Sequence, residues 1–180
     1  MFKLICELFE YLPLAATVNN KIFCVHSGIG ENIKTLDDIA SIKKPINIYD
    51  NQKVIDLLWS VPVGNTQKEE YTGNNLTAPL RKRVFNEDMA LEFMKNNGLD
   101  LIIRSHDVVE KGFEKLFNNR VVTICSSTNY CNSHNNDGGI IFVKKNLEVQ
   151  PKILTIEENM SVWHEISKNF PASPKKSFKK

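Results

Sequence analysis

Two apolar runs of this chain end on a histidine: Lys21-Ile22-Phe23-Cys24-Val25-His26 and Leu101-Ile102-Ile103-Arg104-Ser105-His106. Short apolar runs of this kind read as strands buried on both faces, and such strands need helices to cover them. That requirement steers the chain to a strand-rich α/β or α+β architecture. Ligands in such sheets gather where strands end, so the two histidines stand where they can share a site. Imidazoles on strand ends suit a metal ion or a phosphoryl group. Two of them fall short of a catalytic metal centre, and no carboxylate cluster adjoins them in sequence.

The chain has 180 residues, 42% of them hydrophobic, enough for one substantial core. Net charge is +2, but residues 165–180 hold five lysines against one acid, which leaves residues 1–164 at net −2. A faintly acidic body with a basic tail is a poor electrostatic footprint for nucleic acid, so direct nucleic-acid binding is not expected. No apolar stretch approaches the length of a membrane span. The cysteines, Cys6, Cys24, Cys125 and Cys131, fall mostly in apolar runs and are expected to be reduced and buried, as in a cytoplasmic or nuclear protein.

Phe2, Leu4, Ile5, Leu8 and Phe9 follow helical spacing from the first residues, without a cap ahead of them. Either a targeting helix or the interior of a larger fold fits this start; the lack of an arginine-rich face favours the second. The helix is expected over 2–10, stopped before Pro13. Asn19-Asn20 between Leu14–Thr17 and Lys21–Val25 predicts a hairpin. Thr35–Ile39 reads as a helical turn, and Asp50 or Asn51 caps a helix running to Leu58. Residues 60–80 read as a long surface loop. Asn86 and Gly98 bracket another helix, Leu99–Ile103 and Val121–Cys125 are strands, and Asp107 is expected to start a helix through Leu116. Residues 139–143 and 148–156 form a hairpin across Lys145-Asn146. Residues 1–158 are assigned to one domain and 159–180 to a basic, flexible tail.

Each candidate has a plain alternative. His26 and His106 are metal ligands or hydrogen-bonded strand-end residues. Arg104 can face a phosphate, and Asp107 can orient a histidine or cap a helix. Tyr130, in the polar run Ser126-Ser127-Thr128-Asn129-Tyr130-Cys131, donates to an anion or packs on the surface. Arg81-Lys82-Arg83 is an anion contact or a solvated face. Cys125, Cys131 and His134 lack the close cysteine pairs of a structural zinc site.

Taken in order, the motifs resemble the C-terminal half of the PPP-type serine/threonine protein phosphatases, the family of protein phosphatase 1, 2A and calcineurin. Leu12-Pro13-Leu14-Ala15-Ala16 with Lys21 to Gly28 is similar to the family's "LPLAA…KIFCVHGG". Asp56-Leu57-Leu58-Trp59-Ser60-Val61-Pro62 is similar to "DLLWSDP", and Leu99 to His106 to "LDLICRAH". Ser127-Thr128-Asn129-Tyr130-Cys131 resembles "APNYC", and Asn136-Asp137-Gly138-Gly139 resembles "DNAG". The resemblance implies the C-terminal portion of a calcineurin-like metallophosphoesterase β-sandwich flanked by helices. It implies two divalent metals (manganese, iron or zinc) that activate a water against phosphoserine or phosphothreonine. His26 and His106 would ligate the second metal, and Tyr130 would lie at the substrate cleft.

The departures are equally informative. The family's "GDxHG", "GDxVDRG" and "GNHE" segments, which carry most metal ligands, have no counterpart here. Ser27 stands for a glycine and Val61 for the aspartate of "WSDP". Pro79-Leu80 stands near the place of an expected phosphate arginine, with Arg81 or Arg83 as substitutes. Two readings follow. The chain is a phosphatase portion that acts on phosphoproteins only with the missing metal-rich half. Alternatively, it is an inactive phosphatase-like scaffold for partner subunits. On either, these residues alone are not expected to hydrolyse phosphoserine at a useful rate, because two histidines hold a metal only weakly.

Overall fold

A computed structural model describes residues 1–48, 51–63 and 83–155. Helix α1 spans Phe2–Phe9, followed by strands β1 (Ala15–Val18) and β2 (Ile22–Val25), then helices α2 (Leu36–Ala40) and α3 (Gln52–Trp59). Two short strands, β3 (Val61–Pro62) and β4 (Val84–Phe85), precede helix α4 (Glu87–Asn97). Strands β5 (Leu101–Arg104), β6 (Phe113–Leu116) and β7 (Val121–Ile124) come next. A 3-10 turn (Tyr130–Asn132) then leads to β8 (Gly138–Val143) and β9 (Val149–Leu154).

The main sheet has the order β1-β2-β5-β7-β6. Its centre is parallel, with Ile22 opposite Leu101 and Ile102 opposite Val121, while β1 and β6 are antiparallel hairpin partners at the two edges. Parallel neighbours need long crossovers, and the stretch carrying α2, α3 and α4 supplies the one between β2 and β5. Leu57 of α3, Phe85 of β4, and Ala90, Phe93 and Met94 of α4 cover the sheet and pack with Phe23, Ile102 and Val121 into one core. Phe23 and Phe93 meet with ring centroids 5.1 Å apart. Strands β8 and β9 form a separate two-stranded sheet.

Local chemistry explains the boundaries. Asn19 and Asn20 both take positive φ in the three-residue connection between Val18 and Ile22, and Lys21 N donates to Val18 O across it. Asn51 and Asn86 accept backbone N–H groups at the starts of α3 and α4, and Gly98 closes α4 at φ 63°. Thr35 and Asp38 form a reciprocal capping box on α2. The Asp38 carboxylate also accepts from the backbone of Lys34 and pairs with Lys53 at 2.7 Å. These bonds, Lys53 foremost, hold its pKa well below the usual carboxylate range. A depressed carboxyl pKa stabilises the fold above about pH 4 and loses that contribution as acid reprotonates it. Asp38→Asn should therefore melt lower than wild type near neutrality, by up to about 1 kcal/mol. Melting curves at falling pH should show the gap narrowing below about pH 4; a constant gap would contradict this account.

Some sequence expectations fail. Residues 107–116 are not a helix: Phe113–Leu116 is the edge strand β6, paired antiparallel to β7. Gly112 has a φ of 74° and Lys111 bridges to Asp137, so the chain turns out of the helical region before β6 begins. The loop expected over residues 60–80 is interrupted at its start by β3, whose Val61 and Pro62 pair with Val84 and Phe85, and residues 64–82 lie outside the described set. So do 156–180, including the assigned tail. The four cysteines are free, but only Cys125 is buried; Cys131 is exposed. Among the described residues, no helix is long and apolar enough to cross a membrane.

Candidate functional site

The parallel pairing of β2 with β5 extends past both strands, where Ser105 N donates to His26 O at 2.9 Å. His106 is one residue further on and takes a left-handed backbone, φ 72°. That conformation is uncommon for a non-glycine residue and persists only where its surroundings enforce it. It accompanies the approach of the two rings: His26 Nε2 lies 3.1 Å from His106 Nδ1, with centroids 5.1 Å apart and the rings nearly perpendicular. Trp59, at the end of α3, packs edge-on against His106 at 5.6 Å.

Two nitrogens at that separation would subtend about 95° at a metal bound with the usual nitrogen distance of about 2.1 Å. They fit adjacent positions of one coordination shell. Desolvation and then the nearby Arg104 charge push the His26 pKa below its ordinary value, with Asp107 opposing. That favours the neutral ring, which a metal ligand must be. Among the described residues, however, no group of three or more His, Cys, Asp and Glu side chains is placed to hold a metal ion. The pair supplies part of a shell. Cys125, Cys131 and His134 do not form such a group either.

Arg104 is buried beneath this pair, not turned to an external phosphate. Its Nε donates to the Ser27 carbonyl, and Nη1 donates to Asp107 Oδ2 and, at 3.3 Å, to Thr123 Oγ1. Burial lowers the guanidinium pKa while Asp107 raises it. Asp107 thus serves as a counter-ion and caps no helix. Ser27, in place of the family glycine, is fully buried and donates its hydroxyl to the Ser60 carbonyl, tying the exit of β2 to the end of α3. Gly28 has no such freedom, because a side chain there would run into the Phe85 ring.

Arg83 is committed to a neighbour. Its guanidinium bonds Gln52 Oε1, and Nη1 lies 3.2 Å from Asp56 Oδ1 as an ion pair, out of line for a hydrogen bond. Asp56 is fully buried and accepts from Asn32 through N (3.1 Å) and Nδ2 (2.9 Å). Gly30, on the loop leaving His26, sits against this carboxylate so closely that a side chain would overlap it. Arg81 lies outside the described residues. Tyr130 is 45% exposed, packs on His134 with centroids 5.6 Å apart, and donates its backbone N–H to Asn136 Oδ1. Its described partners belong to its own loop and not to the histidine pair. Buried Asn136 organises that loop, donating also to the Ser127 and Asp137 carbonyls.

Sequence reasoning missed Asp56 and Trp59 as contributors. A carboxylate inside Val54-Ile55-Asp56-Leu57, all buried, was the available signal, because a charge in an apolar helical run must be paired.

Comparison with known proteins gives the chain a family. Residues 1–110 match the calcineurin-like phosphoesterase family. The chain is 40% identical over 149 residues to the serine/threonine-protein phosphatase BSL2 of Arabidopsis thaliana, an alignment covering 82% of this chain and 14% of that protein. It superposes on a protein serine/threonine phosphatase of Saccharomyces cerevisiae, described as similar to human phosphatase PP5, with a TM-score of 0.70 and 26% identity. That superposition covers 86% of this chain and 50% of the yeast structure. The chain thus spans half or less of the relatives it matches.

Proposed function

This chain belongs to the calcineurin-like phosphoesterase family as a partial serine/threonine protein phosphatase domain, and from that premise we propose that it serves as a phosphatase-derived scaffold which binds protein partners and does not turn over phosphoesters alone. The observation that carries this reading is the partial shell: His26 and His106 converge, and among the described residues no third ligand group joins them. The engagement of Arg83 by Asp56 and Gln52 supports it further, because a guanidinium held this way is not free to clamp a phosphoryl group.

The surface supplies a second line of support. Helix α1 leaves Phe2, Leu4, Leu8 and Phe9 exposed, and beside it lies a cleft of about 760 Å³ lined by Cys6, Leu12, Pro13 and Ile46 among others. Contiguous apolar surface of this kind marks an interaction face. Half of the yeast phosphatase fold has no counterpart in this chain. The fitting partner is a protein that presents an apolar face to α1.

The retained histidine geometry favours a second reading, in which the chain is one section of a working phosphatase. His26 and His106 would then hold a divalent ion, which when bound supplies Lewis acidity toward a water and the phosphoryl oxygens. This chain's part would be to fix two ligands in orientation, with Trp59 shielding one of them from solvent.

Two measurements test the proposal. A phosphopeptide assay of this chain with manganese should give no family-like turnover and no change on His106→Ala; turnover abolished by that substitution would overturn the scaffold reading. Light scattering on the isolated chain should show self-association that Leu8→Glu relieves. A monomer with a sharp cooperative melt would remove the case for a partner on α1.

A further inference from the structure

One buried side chain touches the sequence neighbours of both histidines. Arg104 Nε donates to the carbonyl of Ser27, the residue after His26, and its Nη1 donates to the carboxylate of Asp107, the residue after His106. The same Nη1 reaches Thr123 Oγ1 on β7. We propose that Arg104 is the positioning residue of the histidine pair, with Asp107 as its lever on His106. The proposal rests on the reading of that pair as part of a metal shell.

Three observations support it. The Arg104 side chain is wholly buried, although burying a guanidinium is costly and replacing it with an apolar side chain is often neutral or favourable. A retained buried cation therefore calls for a reason beyond stability. Its bonds run along different edges of one rigid plane, which fixes the exit of β2 relative to the loop after β5; a lysine, with one ammonium on a flexible stem, cannot reproduce this. Finally, His106 holds a left-handed backbone that would relax unless the chain on either side is restrained. The Ser105 N–H donates to the His26 carbonyl on the near side, and Asp107 is held by Arg104 on the far side; the Ser105 hydroxyl, which bonds the Ile124 carbonyl, is not part of this clamp. Trp59 supports the His106 ring from outside but is not in ring contact with His26.

The metal-free, full-length chain with imidazole 15N labels provides the test, at about pH 8 where an ordinary imidazole is neutral. The wild type should show a cross-ring NOE between His26 and His106 and one fixed tautomer for each ring, because one of the facing nitrogens must donate and the other accept. Arg104→Lys and Asp107→Asn should lose most of that NOE and show averaged tautomers. Ser105→Ala, which removes a bond in the same loop without touching the guanidinium, should keep both. Asp107 is over a third exposed, so its variant decides the matter even if Arg104→Lys does not fold. The proposal is overturned if Asp107→Asn keeps the wild-type NOE, if Ser105→Ala loses it equally, or if the wild type lacks it. Cobalt(II) titration of the same samples tests the underlying reading separately. Rings fixed by Arg104 in a wild type that binds no cobalt would leave the positioning role standing and remove the metal role.

Discussion

Gly112→Ala is expected to lower the melting temperature by at least about 4 °C and to loosen β8 and β9 from the main sheet. Gly112 has a φ of 74°, where an alanine costs about 1–2 kcal/mol. A methyl there would also overlap the Gly138 carbonyl and stand 2.7 Å from Gly139 N. Backbone sits on the other side of this contact, so no flexible side chain can yield, and overpacking of this type adds about 1–3 kcal/mol. Residues around the crossing are linked by main-chain bonds, Cys125 N to Gly112 O at 2.9 Å and Gly139 N to Cys125 O at 2.8 Å. Displacing Gly112 therefore strains the junction between the two sheets. Hydrogen exchange of the Gly139 amide should accelerate in the variant; a wild-type melt with unchanged exchange would show that the crossing has slack.

Phe85→Ala should be at least as damaging. The ring is fully buried in the core, meets Phe117 edge-on with centroids 6.0 Å apart, and lies directly under Gly28. Truncating a buried phenylalanine typically costs about 3–5 kcal/mol from lost transfer energy and the cavity left behind. Phe85→Leu, which keeps most of the volume, should cost much less. Because Gly28 rests on this ring, the alanine variant should also loosen the turn that carries His26. Chemical denaturation of the two variants tests the first point. Equal midpoints for alanine and leucine would mean that the ring is not packed as tightly as its burial implies.

Where local chemistry decides structure, the sequence was readable. Asn19-Asn20 announced the β1–β2 turn, Asn86 and Gly98 bounded α4, and the two strand-end histidines were recognisable as a shared site before their rings were seen to meet. The misreading of residues 107–116 has a definite cause. Asp107 resembles a cap, and Val109, Phe113 and Leu116 recur at helical spacing, but Phe113 and Leu116 find their partners across the sheet on β7. Tertiary pairing overrode local pattern there. Arg104 was hidden for a different reason. An arginine near a strand end is expected to seek solvent, and only the return of Asp107 to neutralise it makes burial tolerable. Arg83 was legible as a charge but not as the partner of Asp56, which lies a long way off in sequence.

The parallel pairing at the centre of the sheet bears on how this chain reaches its native state. His26 and His106 are separated by 80 positions, and β2 finds its neighbour β5 only after the whole intervening helical stretch has been made. Closing a loop of that size costs about 4 kcal/mol of chain entropy before any contact across it is gained. Contacts this distant in sequence slow folding by the standards of small domains. During synthesis, β2 leaves the ribosome as an apolar ribbon with one free edge and must wait for β5, so the interval between them is when a chaperone has most to protect.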